Sequence, residues 1–379
     1  MVDVCKTCLF DSSISGVTID DDGLCSICEI SNNFSKIYPS GDTGKKILES
    51  KIEEIKKDGK GKKYDCVIGV SGGGDSSYLL HLFKKEFGLR ILAVHFDNTW
   101  NTTIATTNIH RMCTALNIDL YTHVVDAKEF DDLTLSFFKA GLRDIEVPTD
   151  IGFASVINKA AIKHNVKWRI DGHNFRTEGI GPIDWVYIDG KYMLDVYKKH
   201  GNNLSLRSIP KLTLSEQLYM WIFKRIKLLR PFYYLDISKE DTRNFLEKEY
   251  GWRYYGGHHL ENIHTCFFHQ YYFPVKWGIN TRIVEHSALM RMGLITRDEA
   301  NKISLRESQQ DVSHIIKYYK KRHQLSDEEF NRYMEVPVTT HANYKTYKKT
   351  FELMKPFFWL LLKRELISQS FYDKYCLKK

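Results

Sequence analysis

Residues 66–77, CVIGVSGGGDSS, decide the fold of this chain. The first five form an apolar run typical of a buried strand, and a helix is predicted from about residue 76 to residue 86. The three glycines between them allow close backbone approach, so that successive amide N–H groups can form a nest around an anion. The positive N-terminal end of the following helix favours the same ligand. A phosphate group is therefore expected at residues 71–77, although a glycine cluster after a strand is often only a turn.

Short apolar strands alternate with helical patterns outward from this stretch. Strands are predicted at 66–70, 90–96, 119–125, 167–171 and 226–229, and helices at 45–57, 76–86, 104–116 and 151–161. This alternation indicates βαβ units, so the expected fold class is α/β with a doubly wound, mostly parallel sheet. From about residue 238 the pattern is largely helical to the end.

Four of the eight cysteines form two pairs, Cys5-x-x-Cys8 and Cys25-x-x-Cys28. Their separation is typical of a four-thiolate zinc ribbon, and the turn signal at 20–23 would fold the second pair back onto the first. Disulfides and a redox pair are the alternatives; a cytosolic chain and the lack of a thioredoxin-like strand disfavour them. A closed four-cysteine site leaves no open coordination position, so we expect structural Zn²⁺. The predicted division is a zinc ribbon at 1–40, a phosphate-binding α/β domain at 41–237 and a mainly helical region at 238–379.

Composition and charge exclude some classes of protein and leave others open. With 43% hydrophobic and 27% charged residues, the chain has the composition of a globular protein. Because no apolar run approaches the ~20 residues of a membrane span and no signal core is visible, we expect a cytoplasmic protein without membrane insertion. The net charge of +8 suits phosphorylated ligands, nucleic acid or an ordinary solvated surface.

The ordered set Ser-Gly-Gly-x-Asp-Ser within residues 71–77 resembles the PP-loop of the ATP pyrophosphatases, which include asparagine synthetase, NAD synthetase and tRNA-modifying enzymes. The resemblance implies that the loop holds the β and γ phosphates of ATP and that Asp75 helps to hold Mg²⁺. A carbonyl oxygen would be adenylated, and a nitrogen or sulfur nucleophile would then displace AMP. The ATP-binding residues so implied are Ser71, Gly72, Gly73, Gly74, Asp75, Ser76, Ser77, Phe96, Asp97, Gly172, Asn174 and Arg230.

A zinc ribbon followed by a PP-loop further resembles the N-acetyl sugar amidotransferases, which act in lipopolysaccharide O-antigen synthesis and in the pseudaminic and legionaminic acid pathways of flagellin glycosylation. The segments that carry this resemblance over nearly the whole chain are THVVD (122–126), AGLRDIEVPTD (140–150), DGHNFRTE (171–178), RPFYY (230–234) and GWRYYGGHHLE (251–261). The resemblance implies ATP-dependent conversion of an acetamido group of a sugar to an acetamidino group through an O-adenylyl intermediate, with ammonia as the nucleophile.

Three segments supply the remaining candidate residues. Where the resemblance to PP-loop enzymes implies paired aspartates after the GHN segment, this chain has Arg176-Thr177-Glu178, so Glu178 is the nearby acid and a candidate catalytic residue. In the C-terminal region, His259 and Glu261 are candidates to deprotonate ammonium, and His258 is a candidate to bind substrate. The HExxH spacing of a catalytic zinc site is lacking.

Several of these residues have simpler explanations. Thr149 and Asp150 are candidate sugar-binding residues, or they cap the helix predicted at 151–161. Asn174 could cap the turn that follows it. Arg230 could neutralise departing pyrophosphate or be an ordinary exposed arginine.

The positions of the cysteines bear on the ammonia source and on the alternative functions. Cys66 and Cys113 lie singly, and the N-terminal cysteines are assigned to metal, so no thiol is available for a glutaminase. We therefore expect ammonia from a separate glutaminase subunit or from solution. The alternatives are a tRNA-modifying PP-loop enzyme, which the single thiols disfavour, and a non-catalytic nucleotide-binding scaffold.

Overall fold

Five strands build the central sheet: β1 (Cys66–Gly69), β2 (Ile91–Asp97), β3 (Asp119–Val124), β4 (Trp168–Ile170) and β5 (Lys227–Leu229). The computed structural model describes residues 2–257, 260–308 and 310–377. All strand pairs are parallel, and the order is β3-β2-β1-β4-β5. This confirms the α/β class and the doubly wound sheet. Strands β2 and β3 lie on one side of β1, and β4 and β5 lie on the other, so the strand order reverses at β1. A ligand crevice is therefore expected at the carboxyl end of β1.

Helices cover both faces of the sheet and make up the C-terminal region. They are α1 (Ser26–Ile37), α2 (Gly41–Gly59), α3 (Gly74–His81), α4 (Thr103–Ala115), α5 (Ala127–Lys139), α6 (Val147–Lys163), α7 (Gly190–His200), α8 (Leu214–Leu218), α9 (Lys239–Tyr250), α10 (Ile263–Phe267), α11 (Phe273–Trp277), α12 (Ile283–Arg291), α13 (Arg297–Ser308), α14 (Ser313–His323), α15 (Asp327–Glu335), α16 (Lys348–Leu353), α17 (Lys355–Lys363) and α18 (Gln369–Tyr375). Three π-helical stretches, at Leu82–Glu86, Tyr219–Lys224 and Phe268–Tyr272, extend α3, α8 and α10.

Alternate residues of β1 supply two separate hydrophobic cores. Val67 belongs to the core that includes α6, the ribbon and most C-terminal helices. Cys66 and Ile68 belong to the second core, together with buried residues of α2, α3, α4 and α9. A strand buried on both faces reads as a continuous apolar run, which explains the sequence CVIGV.

Two helices begin four residues earlier than the periodicity predicts. Helix α2 starts at Gly41 instead of residue 45. Helix α6 starts at Val147 because Pro148 is accepted in the first turn, where its missing N–H breaks no helical hydrogen bond. Thr149 and Asp150 are therefore inside that turn, and the alternative that they cap the helix is wrong.

The N-terminal segment folds as the cysteine spacing predicts. Ile19 and Cys25 form an antiparallel bridge, and Gly23 closes the hairpin with φ +78° and an N–H bonded to the Asp20 carbonyl at 2.9 Å. The second cysteine pair then starts α1. Among the described residues, no helix is long and apolar enough to cross a membrane.

Candidate active site

The loop between β1 and α3 is held in a tight turn by its own polar groups. The Ser71 hydroxyl accepts the Gly73 N–H at 3.2 Å, and the Ser76 hydroxyl donates to the Gly73 carbonyl at 3.2 Å. Gly72 has φ +85°, and a methyl group placed on it would lie 2.3 Å from the Ala105 carbonyl oxygen. The sequence therefore needs glycine here both for backbone conformation and for the close approach of α4.

The C-terminal region covers the same loop. The indole N–H of Trp252 donates to the Gly72 carbonyl at 3.1 Å. A methyl group placed on Gly73 would lie 3.1 Å from Tyr255 Oη and 3.4 Å from Glu261 Oε1. A tyrosine hydroxyl and a carboxylate thus border the point where the loop turns into α3. Glu261 is brought to the loop, whereas His258 and His259 lie outside the described residues.

An acidic pair stands at the start of α3. Glu178 shares a hydrogen bond with Asp75, and burial together with the Asp75 charge raises the pKa of Glu178 well above 4.5. The proximity of the two carboxyl groups thus makes ionisation of Glu178 unfavourable. Gly172 lies beside the pair, since a methyl group on it would be 3.5 Å from Asp75 Cβ. Two adjacent carboxyl groups offer oxygen ligands to a divalent cation.

Lys239, the first residue of α9, balances this acidic pair. Its Nζ lies 3.4 Å from Glu285 Oε1. Burial opposes the ammonium charge, but the carboxylates of Glu285, Glu178 and Asp75 outweigh it and raise the pKa of Lys239. Arg282 pairs with Glu285 at 2.9 Å. Charges of alternating sign therefore run from Lys239 through Glu285 to Arg282. Sequence reasoning missed Lys239, Arg282 and Glu285; the helix-start signal of Ser238 before Lys239 was the available clue.

The segment after β4 is ordered by its own hydrogen bonds. Asn174 Oδ1 accepts the Arg176 N–H at 3.1 Å, which is the turn-capping contact of the simpler explanation. His173 Nε2 lies 4.0 Å from Glu178 Oε2, and its Nδ1 is 2.9 Å from Tyr233 Oη. ATP binding by Gly172 and Asn174 stays a prediction.

Arg230 is part of an internal network and not an ordinary exposed arginine. Its Nε donates to Asp171 Oδ2 at 3.0 Å, and Nη1 donates to Tyr233 Oη at 3.3 Å and to Ser370 Oγ at 3.2 Å. The guanidinium is thereby fixed at the carboxyl end of β4, where it could meet a phosphate or a carboxylate.

The two candidate residues at the end of β2, Phe96 and Asp97, lie in different environments. Phe96 is buried, and its ring fills the space above Gly152, where a methyl group would lie 2.2 Å from Cζ. Asp97 Oδ1 accepts from the Thr99 N–H at 2.8 Å and from Asn101 Nδ2 at 3.2 Å. Phe96 thus packs in the core while Asp97 orders the following loop, and their roles in nucleotide binding stay predictions.

Thr149 lies near the same strand end, where its hydroxyl is 3.4 Å from Asn98 Nδ2. Desolvation and the charge of Asp144 raise the pKa of Asp150 to about 7, and the charge of Lys374 opposes this rise. Lys374 belongs to α18, so this turn of α6 faces a helix from the C-terminal end of the chain. Substrate binding by Thr149 and Asp150 stays a prediction.

Glu178 also lines a cavity of about 740 Å³. Its wall is largely apolar and aromatic, and includes Phe34, Trp185, Phe268, Phe273 and Val284. The charged and polar groups that face it include His173, Glu178, Arg230, Arg282, Glu285 and Lys374. Glu178 therefore lies both beside Asp75 of the glycine-rich loop and in the wall of a cavity large enough for a small organic molecule.

The four N-terminal cysteines form the expected cluster. All are buried, and their sulfur atoms lie within 4.8 Å of one another, with Cys5–Cys28 at 3.8 Å and Cys8–Cys25 at 3.5 Å. Zinc bound tetrahedrally at about 2.3 Å requires ligand sulfurs roughly 3.8 Å apart. The cluster therefore fits a structural zinc ion. Helix α1 continues from it, and Phe34 of this helix reaches the cavity wall.

Part of the C-terminal region matches a protein-family model. Residues 261–357 match the family described as "LPS biosynthesis protein WbpG-like, C-terminal domain". This segment begins at Glu261, the carboxylate that lies against the loop.

Two curated proteins are similar to this chain in sequence. The uncharacterized protein MJ1599 of Methanocaldococcus jannaschii is 23% identical over 277 residues, which are 73% of this chain and 84% of that protein. One subunit of the glutamine-hydrolyzing GMP synthase of Methanococcus vannielii is 31% identical over 180 residues. That similarity covers 46% of this chain and spans about half, 51%, of the relative.

Two solved structures are also similar to this chain. An NH3-dependent NAD synthetase from Campylobacter jejuni has a TM-score of 0.31 and 16% identity, and covers 74% of this chain and 93% of its own. An NMN synthetase from Francisella tularensis has a TM-score of 0.29 and 14% identity, and covers 59% of this chain and 92% of its own.

Proposed function

We propose that this chain is an ATP-dependent amidotransferase. It would convert an acetamido group of a nucleotide-activated or nonulosonic sugar to an acetamidino group, with release of AMP and pyrophosphate, in the synthesis of a surface or flagellin glycan. The observation that carries the proposal is the contact of Glu261 with the loop. The segment that matches an LPS-biosynthesis family thereby borders the phosphate-binding turn at Gly73.

The loop and its neighbours suit the activation step. Backbone N–H groups of residues 71–77 and the start of α3 would hold the β and γ phosphates, and Lys239 would add a positive charge. Asp75 and Glu178 would bind Mg²⁺, which supplies neutralisation of the charge that develops on the departing pyrophosphate. The similarity to part of a GMP synthase supports an ATP-consuming reaction of this class.

The cavity suits the acceptor. Aromatic side chains such as Trp185 and Phe268 can contact a sugar ring, and Arg230, Arg282 and Lys374 can meet its carboxylate or phosphate. The acetamido oxygen would enter past Glu178 and attack the α-phosphorus of ATP, so that the bond from that phosphorus to the bridging oxygen breaks and pyrophosphate leaves. Ammonia then adds to the activated carbon, and the C–O bond to AMP breaks.

The fate of the acetamido oxygen tests the proposal. We would incubate the protein with ATP, Mg²⁺, ammonium and a panel of nucleotide-activated acetamido sugars, each labelled with ¹⁸O in the acetamido group. The expected result, read by mass spectrometry, is an acetamidino sugar and one ¹⁸O in AMP for each turnover. AMP formed without dependence on a sugar, or AMP without ¹⁸O, would contradict the proposal.

A matched pair of variants links the activity to the site. Asp75→Asn removes a predicted metal ligand and should lower AMP formation by at least about a hundredfold. Asp42→Asn, which changes an exposed acid in the first turn of α2, should leave it unchanged. Salt-sensitive binding of tRNA with no sugar turnover would favour the tRNA-modifying alternative instead.

A further inference from the structure

Three adjoining elements expose large apolar side chains outside the candidate active site. They are the π-helical stretch Tyr219–Lys224, α16 and α17. Phe223 is 73% exposed, Leu353 84% and Trp359 49%. We name the six exposed apolar residues of these elements the aromatic–basic patch: Tyr219, Ile222, Phe223, Leu353, Trp359 and Leu360. Most such side chains in a globular protein are buried, so their concentration here calls for an explanation.

Buried aromatic rings hold the three elements together beneath the patch. Trp221 contacts Phe358 with ring centroids 6.2 Å apart and Phe371 at 5.1 Å. Phe351 of α16 contacts Phe358 at 5.2 Å. Each element therefore has an inner face that fills the core and an outer face that does not. The exposed residues are the outer face of a well-packed platform.

Cations surround the apolar residues of the patch. Lys224, Arg225, Lys349, Lys355, Lys363 and Arg364 belong to these elements or adjoin them directly, and within the described part of the chain none has a carboxylate within 4.0 Å. Residues 217–225 contain no acid, and the single acid of residues 348–364, Glu352, pairs with Lys348 at 3.1 Å. Lys224 lies over the Tyr219 ring and Lys363 over the Trp359 ring. Apolar and cationic side chains therefore adjoin one another along the exposed positions of these elements.

We propose that the aromatic–basic patch docks this protein onto an anionic phospholipid surface. Exposed aromatic and leucine side chains next to lysine and arginine are the composition of interfacial membrane sites, where rings enter the headgroup region and cations meet lipid phosphates. A second copy of the chain is a poorer occupant, because a two-fold contact would place six cations against six cations. The proposal does not depend on the amidotransferase reaction.

Docking would bring the candidate active site close to the lipid surface. Helix α18 follows α17, and its Phe371 packs against Trp221 beneath the patch. The adjacent residue Ser370 accepts from Arg230, and Lys374 of the same helix lines the cavity. One short helix, α18, therefore contacts both the core beneath the patch and the cavity.

Vesicle binding by the full chain tests the proposal. Sedimentation with vesicles of phosphatidylcholine and phosphatidylglycerol should recover the protein, while vesicles of phosphatidylcholine alone should recover at least about tenfold less. Binding should weaken as salt is raised, because the Debye length shortens. Equal recovery with both vesicles, or none with either, would overturn the proposal.

Matched variants separate the patch from the net charge. The double variant Lys363→Glu with Arg364→Glu should lower the vesicle partition coefficient at least about tenfold. Lys45→Glu with Lys46→Glu makes the same charge change on exposed positions of α2 and should have little effect. Leu353→Ser should weaken binding, and Leu294→Ser, at a 61% exposed leucine elsewhere, should not. Unchanged binding by the patch variants, or a stable wild-type dimer that these changes dissociate, would exclude the lipid surface as the occupant.

Discussion

Position 72 requires glycine for two reasons, its backbone conformation and its close contact with α4. Its φ of +85° is open to glycine and strained for other residues, and α4 leaves no room for a Cβ. Its carbonyl accepts hydrogen bonds from Asn108 at 3.3 Å and from Trp252 at 3.1 Å. A displacement of Gly72 would therefore move the turn predicted to bind phosphate together with Asn108 and Trp252, which contact it.

Gly72→Ala should lower ATP turnover to AMP by about a hundredfold, because a shift near 1 Å in the loop misplaces the phosphates. It should also lower the free energy of unfolding by about 2–4 kcal/mol. Gly88→Ala is the control: Gly88 has φ +67° with no atom near its missing Cβ, so about 1 kcal/mol is expected there with activity retained. Urea denaturation and an AMP assay measure both effects. Equal losses in the two variants would show that the contact with α4 does not matter.

Glu178 should make binding of Mg²⁺ and ATP pH-dependent. Its pKa in the folded protein is raised well above 4.5, so folding stability is fully present below about pH 4.5 and declines as the pH rises through the folded pKa. A cation bound at Asp75 and Glu178 would favour the ionised form of Glu178 and so displace a proton from it. The affinity for Mg²⁺ with ATP should therefore increase with pH, and binding should release a proton.

Glu178→Gln should remove this pH dependence and flatten the stability profile, with a gain of the order of 1 kcal/mol above the folded pKa. Calorimetric titrations in buffers of different ionisation enthalpy report the proton released. Glu240→Gln, at an exposed acid of α9, is the control and should behave like the wild type. Retention of the wild-type pH profile in Glu178→Gln would assign the proton to another group.

The N-terminal ribbon contacts elements that form the candidate site, so its stability affects that site. Ser287 of α12 accepts the Leu9 N–H at 3.2 Å, and Arg297 of α13 donates to the Cys5 carbonyl at 2.7 Å. Phe34, on the helix that begins at the second cysteine pair, lines the cavity. Loss of a metal from the four cysteines would therefore loosen both the C-terminal helices and one cavity wall.

Cys8→Ser should reduce bound zinc from about one per chain to well below one, and should destabilise the protein by several kcal/mol. Elemental analysis and thermal unfolding with and without a chelator measure this. Cys113→Ser, at a buried cysteine outside the cluster, should keep the zinc and lose about 1 kcal/mol. A chelator that lowers the melting temperature of Cys8→Ser as much as that of the wild type would contradict a metal site of four cysteines.

At the scale of the whole molecule, the site is assembled from distant parts of the chain. The loop comes from the start of the sheet, Glu178 from the segment after β4, and Glu261 and the cavity helices from the C-terminal region. All eight cysteines are buried, and four of them form the cluster. Our prediction stays that ammonia comes from a separate glutaminase subunit or from solution.

The purified chain should therefore use ammonium and not glutamine as its nitrogen source. Its apparent KM for total ammonium should fall as the pH rises, because the neutral NH₃ is the nucleophile. Mass spectrometry with ¹⁵N-ammonium and ¹⁵N-amide glutamine distinguishes the two sources. Incorporation of the glutamine nitrogen by the chain alone would contradict the need for a separate glutaminase.

Much of the fold follows from short sequence windows. The apolar run before the loop, the helical spacing after it and the paired cysteines each depend on neighbours a few residues away, so the strands, the hairpin at 20–23 and the four-sulfur cluster match expectation. The start of α6 was missed because a proline in the first turn looks like a boundary.

By itself, the sequence determined the class of sheet, the glycine-rich turn after β1 and the thiolate cluster, because backbone periodicity and ligand spacing are local properties. Only the tertiary structure decided that Glu261 lies beside Gly73, that Glu178 lies beside Asp75, and that Lys239 and Glu285 adjoin them. These contacts depend on how two hydrophobic cores pack around one sheet. That packing is the sum of many weak burial terms along the whole chain, which no short window contains.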